Sequence, residues 1–358
     1  MLYNFKERAT RGTEPTKRPG PDSASNIRYI SDKAAMARAG ARDLVALHPL
    51  AGNPPIIKEL GALEVIAGGI VDGELIHIHG ETGTGKNAII EAITCVPENW
   101  QALCEHLDVE ALPLKVYPIE MAVFETISEI YYRRALREGQ TYDEPSAIVL
   151  AMREAARLIG KACPLIWLRE IGRVPTASVQ GGLLNLMTKG MARLSNDEMV
   201  SGMGIAWIAD SNYHTDDVAT HVLVTQDDAL NRRWTVNMAF DYMTPEQEIE
   251  ILKFHMRQGY IPEVEDALVF KVVELGHAIR RHRSQGALSS LAPPSIYGFS
   301  AFLRAAHRHP RFSIQEVVEN TLLGAASMKD REEARGLFSD VFGIRNTQTD
   351  ASAAVGEI

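Results

Sequence analysis

The sequence predicts an α/β protein in which helices cover both faces of a parallel sheet, followed by a smaller domain made only of helices. Five short apolar runs alternate with long helical patterns over the first two thirds of the chain. Strands that are separated by helices usually pair in parallel, and the helices then pack on the sheet. Beyond Asp241 only helical patterns remain, so we place a domain boundary near Tyr242.

Each predicted strand is short and is flanked by turn residues or polar segments. The strands are predicted over residues 75–79, 114–119, 164–168, 204–209 and 234–240. In the second domain, Thr244 and Pro245 have the character of an N-cap and a first helical residue. Further helices are predicted over residues 264–283, 295–307, 313–326 and 331–342, and residues 131–134 are assigned to a helix between the second and third strands.

These patterns divide the chain into four regions. We expect a partly mobile N-terminal arm, because the first residues are rich in Thr, Pro, Gly, Arg and Lys and have no periodicity. The end of the chain is small and polar and predicts a flexible tail. The predicted regions are the arm at 1–44, the α/β domain at 45–242, the helical lid domain at 243–345 and the tail at 346–358.

Composition narrows the classes of protein that remain. The 358 residues include only three cysteines, and none of them forms a CxxC pair, which argues against a disulfide scaffold or a zinc ribbon. No apolar run approaches the ~20 residues of a membrane span, and the start has no secretory signal, so we expect a cytoplasmic protein. The net charge of −9 argues against broad nucleic-acid binding without excluding it.

One motif predicts a phosphate-binding loop. A GxxxxGK pattern follows the first predicted strand and precedes a helical pattern. Glycines let successive backbone N–H groups curl around a phosphate, the helix N-terminus adds a favourable dipole, and the lysine reaches the β- and γ-oxygens of ATP or ADP. The predicted nucleotide-binding residues are Gly80, Glu81, Thr82, Gly83, Thr84, Gly85, Lys86 and Asn87.

Two residues predict a weakened or atypical magnesium site. Asn87 stands where a Ser or Thr hydroxyl normally binds Mg²⁺, and its longer side chain must fit a demanding octahedron. Directly after the third predicted strand, Glu170 stands where a catalytic carboxylate would activate water, but Arg169 occupies the position of the magnesium-supporting Asp. We therefore expect one of three arrangements: the Arg169 side chain points away from the site, it pairs with a carboxylate, or it replaces the metal as a counter-charge to phosphate. Asp210, which follows the fourth predicted strand, is the candidate carboxylate if that strand continues and lies beside the third.

Three further features have plain interpretations that we prefer. His77 and His79 alternate on one strand and are expected to be hydrogen-bonded core residues more often than metal ligands. The basic residues at 280–283 and 304–311 are expected to form solvated helix faces, with nucleotide or polynucleotide contact as the alternative. Residues 131–134 are expected to pack on the sheet, with a subunit or partner contact as the alternative.

Taken together, four segments resemble the motifs of AAA+ ATPases in order and spacing, and they look most like the MoxR group, which includes the CbbQ and NorQ activators and RavA. The resemblance covers about residues 54–306. The four segments are GETGTGKN, LREIGRVPTASVQGGLLNLM, IAWIADSN and DDALNRRWTVNMAFDYMTPEQEIEIL.

The resemblance implies roles for several residues besides Glu170. Asn212 matches the sensor-1 residue that positions the lytic water. Arg233 matches the arginine finger that is presented to the neighbouring subunit, but Arg232 replaces the Asp before it, so either of the two is a candidate. Arg304 matches the sensor-2 arginine of the lid. Positive charge around the γ-phosphate is what phosphoryl transfer requires.

The resemblance also implies a ring oligomer, with a hexamer expected, that uses ATP to remodel or activate a client protein, one with a von Willebrand factor A domain in the usual case. Two alternatives stay open. Asn87 and Arg169 together would suit a subunit that has lost hydrolysis and acts as a nucleotide-gated scaffold or regulator. A nucleic-acid motor is the other alternative, and the acidic balance weighs against it.

Overall fold

The structure is a computed structural model of the chain that describes residues 26–174, 176–194, 197–212, 228–324 and 326–343. The predicted tail and most of the predicted arm lie outside these ranges. The strands are β1 (Arg28–Tyr29), β2 (Leu44–Leu47), β3 (Ile56–Glu59), β4 (Leu75–Gly80), β5 (Leu114–Glu120), β6 (Tyr132–Arg137), β7 (Gln140–Pro145), β8 (Cys163–Arg169), β9 (Met191–Arg193), β10 (Met199–Ser201), β11 (Ala206–Ser211) and β12 (Val236–Phe240).

The helices fall into two groups, α1–α8 around the strands and α9–α13 after the last strand. They are α1 (Lys33–Met36), α2 (Leu60–Val71), α3 (Lys86–Cys95), α4 (Pro97–His106), α5 (Ile127–Tyr131), α6 (Ala147–Leu158), α7 (Ala177–Gly181), α8 (Asp228–Asn231), α9 (Pro245–Arg257), α10 (Asp266–Ser284), α11 (Ile296–Arg308), α12 (Ile314–Thr321) and α13 (Met328–Phe342). Two short 3-10 turns lie at Met121–Val123 and Ile171–Arg173.

The central sheet has five strands in the order β12-β4-β11-β8-β5. All four of its strand pairings are parallel, as the alternating sequence pattern predicted. Strand β11 therefore lies between β4 and β8, and the carboxyl ends of these three strands meet at one edge of the sheet. Ligands of open α/β sheets bind at this kind of edge.

Side chains alternate between the two faces of the sheet, and each face has its own core. Trp167 and Ile208 belong to the core under α2, α3 and α4. Ile166 and Trp207, one residue earlier on the same strands, belong to the core under α6 and α7. This period of two places Arg169 and Asp210 on the α3 face of the sheet.

Helices α9–α13 pack around a separate core that contains Phe299 and Phe302. Thr244 caps α9 as the sequence predicted, because its side chain accepts a hydrogen bond from the Gln247 N–H. A fourth cluster joins the two parts of the molecule, since Phe254 of α9 packs with Ile57 of β3. The predicted domain limits themselves remain a prediction.

The helix predicted over residues 131–134 is wrong. Helix α5 ends at Tyr131, and β6 and β7 then form an antiparallel hairpin. Its turn is formed by Glu138 and Gly139, which both have positive φ values (51° and 78°). Such a turn matches the twist of paired strands, and the aromatic and β-branched residues around it suit a strand.

The start of the described chain also contains a sheet that the sequence did not reveal. Strand β1 pairs in parallel with β2, and β2 pairs antiparallel with β3. Part of the predicted arm is therefore folded, and buried Ile27 and Ile30 anchor it. Among the described residues, none of the helices combines the length and the apolar character that crossing a lipid bilayer requires.

Candidate nucleotide-binding site

The loop between β4 and α3 has the backbone that its glycines predict. Gly80, Gly83 and Gly85 all have positive φ values, at 149°, 89° and 89°. At Gly80 the close approach of the neighbouring strand is also decisive, because an added Cβ would lie 2.1 Å from the Phe240 carbonyl oxygen. Glycine is therefore required at this position both by its φ and by the backbone packed against it.

Lys86, the first residue of α3, folds back over this loop. Its Nζ donates hydrogen bonds to the carbonyl oxygens of Gly80 (2.8 Å) and Glu81 (2.7 Å). The side chain is buried, and burial lowers the pKa of Lys86 to about 8, while the charges of Asp210 and Glu81 act in the opposite direction. The ammonium group is thus held inside the loop, at the place where a phosphate would need a counter-charge.

Asn87 presents an oxygen that has no partner. Its Oδ1 is buried and accepts no hydrogen bond from the described residues. A buried carbonyl-type oxygen without a donor is a free ligand for a hard cation such as Mg²⁺, which prefers oxygen. The residues present therefore fit a magnesium ion, although the hydroxyl usual at this position is missing.

Glu170 lies directly after β8, at the edge of the sheet where the loop begins. Its φ of 52° is left-handed, which is uncommon for a residue other than glycine, Asn or Asp. The carboxylate forms an ion pair with Arg173, whose Nε lies 3.1 Å from Oε2. The predicted catalytic carboxylate is therefore at the expected edge, but an arginine three residues later holds it.

The predicted pair between Arg169 and Asp210 is wrong. The Arg169 guanidinium lies 2.9 Å from Glu120 and 3.9 Å from Glu91, and it stacks over the Trp167 ring at 4.9 Å. No hydrogen bond or ion pair joins it to Asp210 in the described structure. The sheet register places Arg169 directly opposite Glu120 on β5, and the oxygens of Asp210 on the other side are held by different donors.

Asp210 instead accepts two hydrogen bonds from β8 and its end. Trp167 Nε1 donates to Oδ1 at 2.8 Å, and the Glu170 backbone N–H donates to Oδ2 at 3.2 Å. The residue is 2% exposed. Burial raises the pKa of Asp210, and these two hydrogen bonds and the charge of Lys86 oppose that rise.

His77 is a buried core residue, as we expected. Its ring nitrogens share hydrogen bonds with Asn237 (3.2 Å) and Ser211 (2.9 Å), and the ring stacks on His79 and Trp234. Burial, with a smaller contribution from the charge of His79, lowers the pKa of His77 to about 4. Within the described ranges no group of His, Cys, Asp and Glu side chains is arranged to hold a metal ion.

The residues with predicted AAA+ roles are only partly brought together. Asn212 follows β11 directly and lies half-buried at the edge that holds the loop. Arg233 is half-buried and donates from Nη1 to the Met187 carbonyl oxygen (3.0 Å), whereas Arg232 is exposed. Arg304 lies against the Tyr260 carbonyl oxygen at 3.5 Å, and no described contact joins it to the loop.

Tyr242, at the junction with the lid, and Ser295 of the lid both contact the loop. Tyr242 Oη donates to the Thr82 carbonyl oxygen at 2.5 Å. An added Cβ at Gly83 would lie 3.2 Å from the Cβ of Ser295, so the segment before α11 lies against the loop. Neither contact was predicted, because Tyr242 has no assigned role within its motif segment and Ser295 lies outside the four segments.

Arg280 joins these parts of the lid, and the solvated helix face predicted for residues 280–283 is wrong at this position. Arg280 is buried, and its guanidinium stacks over the Tyr242 ring at 3.9 Å. It donates to both carboxylate oxygens of Glu248 (2.8 and 3.1 Å) and from Nε to the Pro294 carbonyl oxygen (2.8 Å). Arg280 follows Val269, Val273 and Gly276 at helical spacing on the buried side of α10, so this spacing could have predicted its burial.

Comparison with known proteins gave similarity at the level of structure only. No protein-family model matches the chain, and a search of curated proteins gave no match. A mutant form of RuvB from Thermotoga maritima is 13% identical with a TM-score of 0.40, over 72% of this chain and 66% of that one. A putative ATPase from Cytophaga hutchinsonii is 15% identical with a TM-score of 0.36, over 80% of this chain and 89% of that one. NtrX from Brucella abortus is 13% identical with a TM-score of 0.41, over 83% of this chain and 57% of that one.

The fold class is therefore stated on the chain's own architecture. The five-stranded parallel sheet flanked by helices, the glycine-rich loop after β4 and the helical region after β12 confirm the predicted α/β fold class with a helical region after the sheet. Membership of the MoxR group remains a prediction.

Proposed function

We propose that the protein binds ATP and ADP at residues 80–87 and hydrolyses ATP with the help of Mg²⁺. The observation that carries the proposal is the position of Lys86, which is buried and holds two loop carbonyl oxygens at the end of β4. A nucleotide phosphate would replace these carbonyls as its partner. The exchange is favourable because a charge-assisted bond to phosphate is stronger than one to a neutral carbonyl.

The other residues at this edge support a hydrolytic site. A bound magnesium ion would neutralise charge on the phosphates, and Asn87 Oδ1 is the free oxygen that would hold it. Glu170 would orient and deprotonate the attacking water, and Asn212 at the end of the adjacent strand would help to position it. Glu170 must first leave Arg173, since an ion-paired carboxylate is a weaker base.

We further propose that the active form is a ring, hexameric by family resemblance, in which a neighbour supplies the arginine finger. Arg232 is the better candidate, because it is exposed while Arg233 is engaged with a carbonyl of its own chain. The ring would remodel or activate a client protein, and the resemblance points to a client with a von Willebrand factor A domain.

Calorimetry with ADP tests the binding site. Lys86→Ala should lower the affinity by at least about tenfold, which is ~1.4 kcal/mol. Lys33→Ala, which removes an exposed lysine paired with Glu105, is the matched control and should bind as the parent does. Equal affinities in the parent and Lys86→Ala would overturn the proposal.

Subunit mixing tests the shared site. An Arg232→Ala/Arg233→Ala variant mixed with the parent should reduce ATPase activity more than in proportion to its share. A strictly linear fall would instead indicate independent monomers. Light scattering of the parent with nucleotide would give the subunit number directly.

The second candidate function is a nucleotide-gated scaffold or regulatory subunit that hydrolyses ATP slowly or not at all. The observation in its favour is the ion pair that occupies Glu170, together with Arg169 at the magnesium-supporting position. Steady-state ATPase rates with and without Mg²⁺ separate the two candidates. Glu170→Gln should abolish any measured turnover and leave ADP binding intact.

A further inference from the structure

We propose that Asp210 supplies the carboxylate that supports the nucleotide-bound divalent cation, in place of the residue at position 169. This inference rests on the proposed nucleotide site and gives Asp210 a role there that the family resemblance does not imply.

The position of Asp210 in the sheet is the first argument. It lies at the carboxyl end of β11, opposite Ile78 of β4, the strand that leads into the phosphate loop. Arg169 is one residue beyond the last residue of β8 that pairs with β11, so it lies at the level of Asp210 on the next strand and on the same face. Neighbouring strands are about 4.8 Å apart. Moving the carboxylate from β8 to β11 therefore brings it about one strand spacing closer to the loop.

The orientation of the carboxylate is the second argument. Trp167 and the Glu170 backbone hold one oxygen each, so the group has a fixed direction. A carboxylate has about four acceptor positions, so each oxygen keeps the capacity to bind a cation or a cation-bound water. Two neutral donors fix the side chain without neutralising its charge.

The charge balance is the third argument. Asp210 is 2% exposed and forms no ion pair within the described ranges. Burying a carboxylate without a paired cation is unfavourable by several kcal/mol. Lys86 acts on it through space, and the same lysine is the one that the loop uses for phosphate. A divalent cation beside Asn87 Oδ1 would supply the positive charge that this burial lacks.

The placement of Arg169 removes the obvious objection. Its guanidinium is turned toward β5 and α3, where Glu120, Glu91 and the Trp167 ring hold it. The cationic side chain is therefore balanced by carboxylates of its own. An arginine at the usual aspartate position does not by itself prevent a cation from binding beside Asp210.

The test compares nucleotide binding with and without the metal. ADP affinities are measured by calorimetry in EDTA and in Mg²⁺, and bound Mn²⁺ is counted by electron paramagnetic resonance in the presence of ADP. The parent should bind ADP more tightly with Mg²⁺ and hold Mn²⁺. Asp210→Asn should keep its affinity in EDTA but lose at least about tenfold of the magnesium-dependent gain, and should bind Mn²⁺ correspondingly more weakly.

Two control variants keep the result interpretable. Trp167→Phe removes one donor to Asp210 but keeps the carboxylate, so it should retain most of the magnesium-dependent gain. Glu74→Gln removes a partly buried carboxylate just before β4, at the opposite end of the sheet, and should retain all of it. Thermal unfolding identifies any variant that does not fold. Trp167→Phe then shows whether loss of the hydrogen bond between Trp167 and Asp210 is enough to remove the magnesium-dependent gain in ADP affinity.

The outcomes separate this inference from the proposed function. If Asp210→Asn keeps the full magnesium-dependent gain, or if the parent binds ADP with no gain from Mg²⁺, the role of Asp210 is overturned while the nucleotide site stands. If the parent binds no nucleotide in either condition, the proposed function itself fails. Arg169→Gln changing the gain by more than about tenfold would also contradict the inference, because position 169 would then act on the cation.

Discussion

The hydroxyl of Tyr242 donates a 2.5 Å hydrogen bond to the carbonyl oxygen of Thr82, 160 residues away in the sequence. Tyr242 lies between β12 and α9, where the α/β part of the chain passes into the helical part, and Thr82 lies in the phosphate loop. The junction of the two parts is thus attached directly to the loop. A movement of the lid relative to the sheet would therefore displace the backbone of this loop or break the hydrogen bond.

Tyr242→Phe tests this connection. We expect a loss of about 1 kcal/mol in the free energy of unfolding, the usual net value of one hydrogen bond, and faster amide exchange over residues 80–86. Urea unfolding and hydrogen exchange measure the two effects. Tyr297→Phe, at a tyrosine that is 73% exposed, is the control and should change neither. Unchanged exchange in Tyr242→Phe would show that the contact does not restrain the loop.

Nucleotide binding should take up a proton near pH 8. Burial lowers the pKa of Lys86 to about 8, so the free protein carries this lysine about half protonated at that pH. Phosphate beside the ammonium raises its pKa, and the bound state therefore holds more protons than the free state. Uptake should reach about half a proton at pH 8 and diminish toward pH 7.

Calorimetry in buffers of different ionisation enthalpy measures this uptake. The affinity for ADP should correspondingly fall as the pH rises above 8. Lys86→Ala should show neither effect at this pH. Proton release instead of uptake in the parent would contradict the proposed contact between Lys86 and phosphate.

The loop glycines should differ in their tolerance of a side chain. Gly80→Ala places a Cβ against the Phe240 carbonyl oxygen, so we expect a loss of several kcal/mol or failure to fold. Gly85 has nothing within 4 Å of an added Cβ, and only its φ of 89° is unfavourable for alanine. Gly85→Ala should therefore cost about 1–2 kcal/mol. Thermal and urea unfolding of the pair decide this, and equal losses would contradict the packing at Gly80.

Removing one partner of the buried pair of Arg280 and Glu248 should lower the free energy of unfolding strongly, whereas replacing both with apolar residues should lower it much less. Arg280→Met leaves Glu248 buried without its arginine, and we expect a loss of about 3–5 kcal/mol. Adding Glu248→Leu should recover much of this loss, because the buried carboxylate, which then has only His277 as a partner among the described residues, at 2.8 Å, is gone. The pair of Arg335 and Glu319, whose side chains are 43% and 30% exposed, is the control, where Arg335→Met should cost less than about 1 kcal/mol.

A double-mutant cycle by urea unfolding measures the coupling between the two positions. Additive losses at Arg280 and Glu248 would contradict the pair. The cycle also bears on the lid, since the same guanidinium stacks on Tyr242 and holds the Pro294 carbonyl oxygen next to the loop.

Local pattern was sufficient for the central strands and for the position of the glycine-rich loop between β4 and α3. Strand β8 was predicted over 164–168 and observed at Cys163–Arg169, and the other central strands agree with similar accuracy. The hairpin of β6 and β7 was missed, because its residues also fit a helical pattern and only the turn at Glu138 and Gly139 distinguishes the two. Sequence pattern reports which residues are apolar, and it reports turns only where their residues are distinctive.

The sequence by itself determined the order of strands and helices, the loop at residues 80–87, the carboxylate at Glu170 and the unusual arginine at position 169. These follow from spacing along one chain segment. Only the tertiary structure decided which charges meet. Arg169 pairs with Glu120 on the adjacent strand β5. Asp210 accepts hydrogen bonds from Trp167 and the Glu170 backbone. Arg280 is buried because α9 and Tyr242 enclose it. Electrostatic partners depend on distances in space, and residues far apart in sequence come together only when the sheet and the lid have packed.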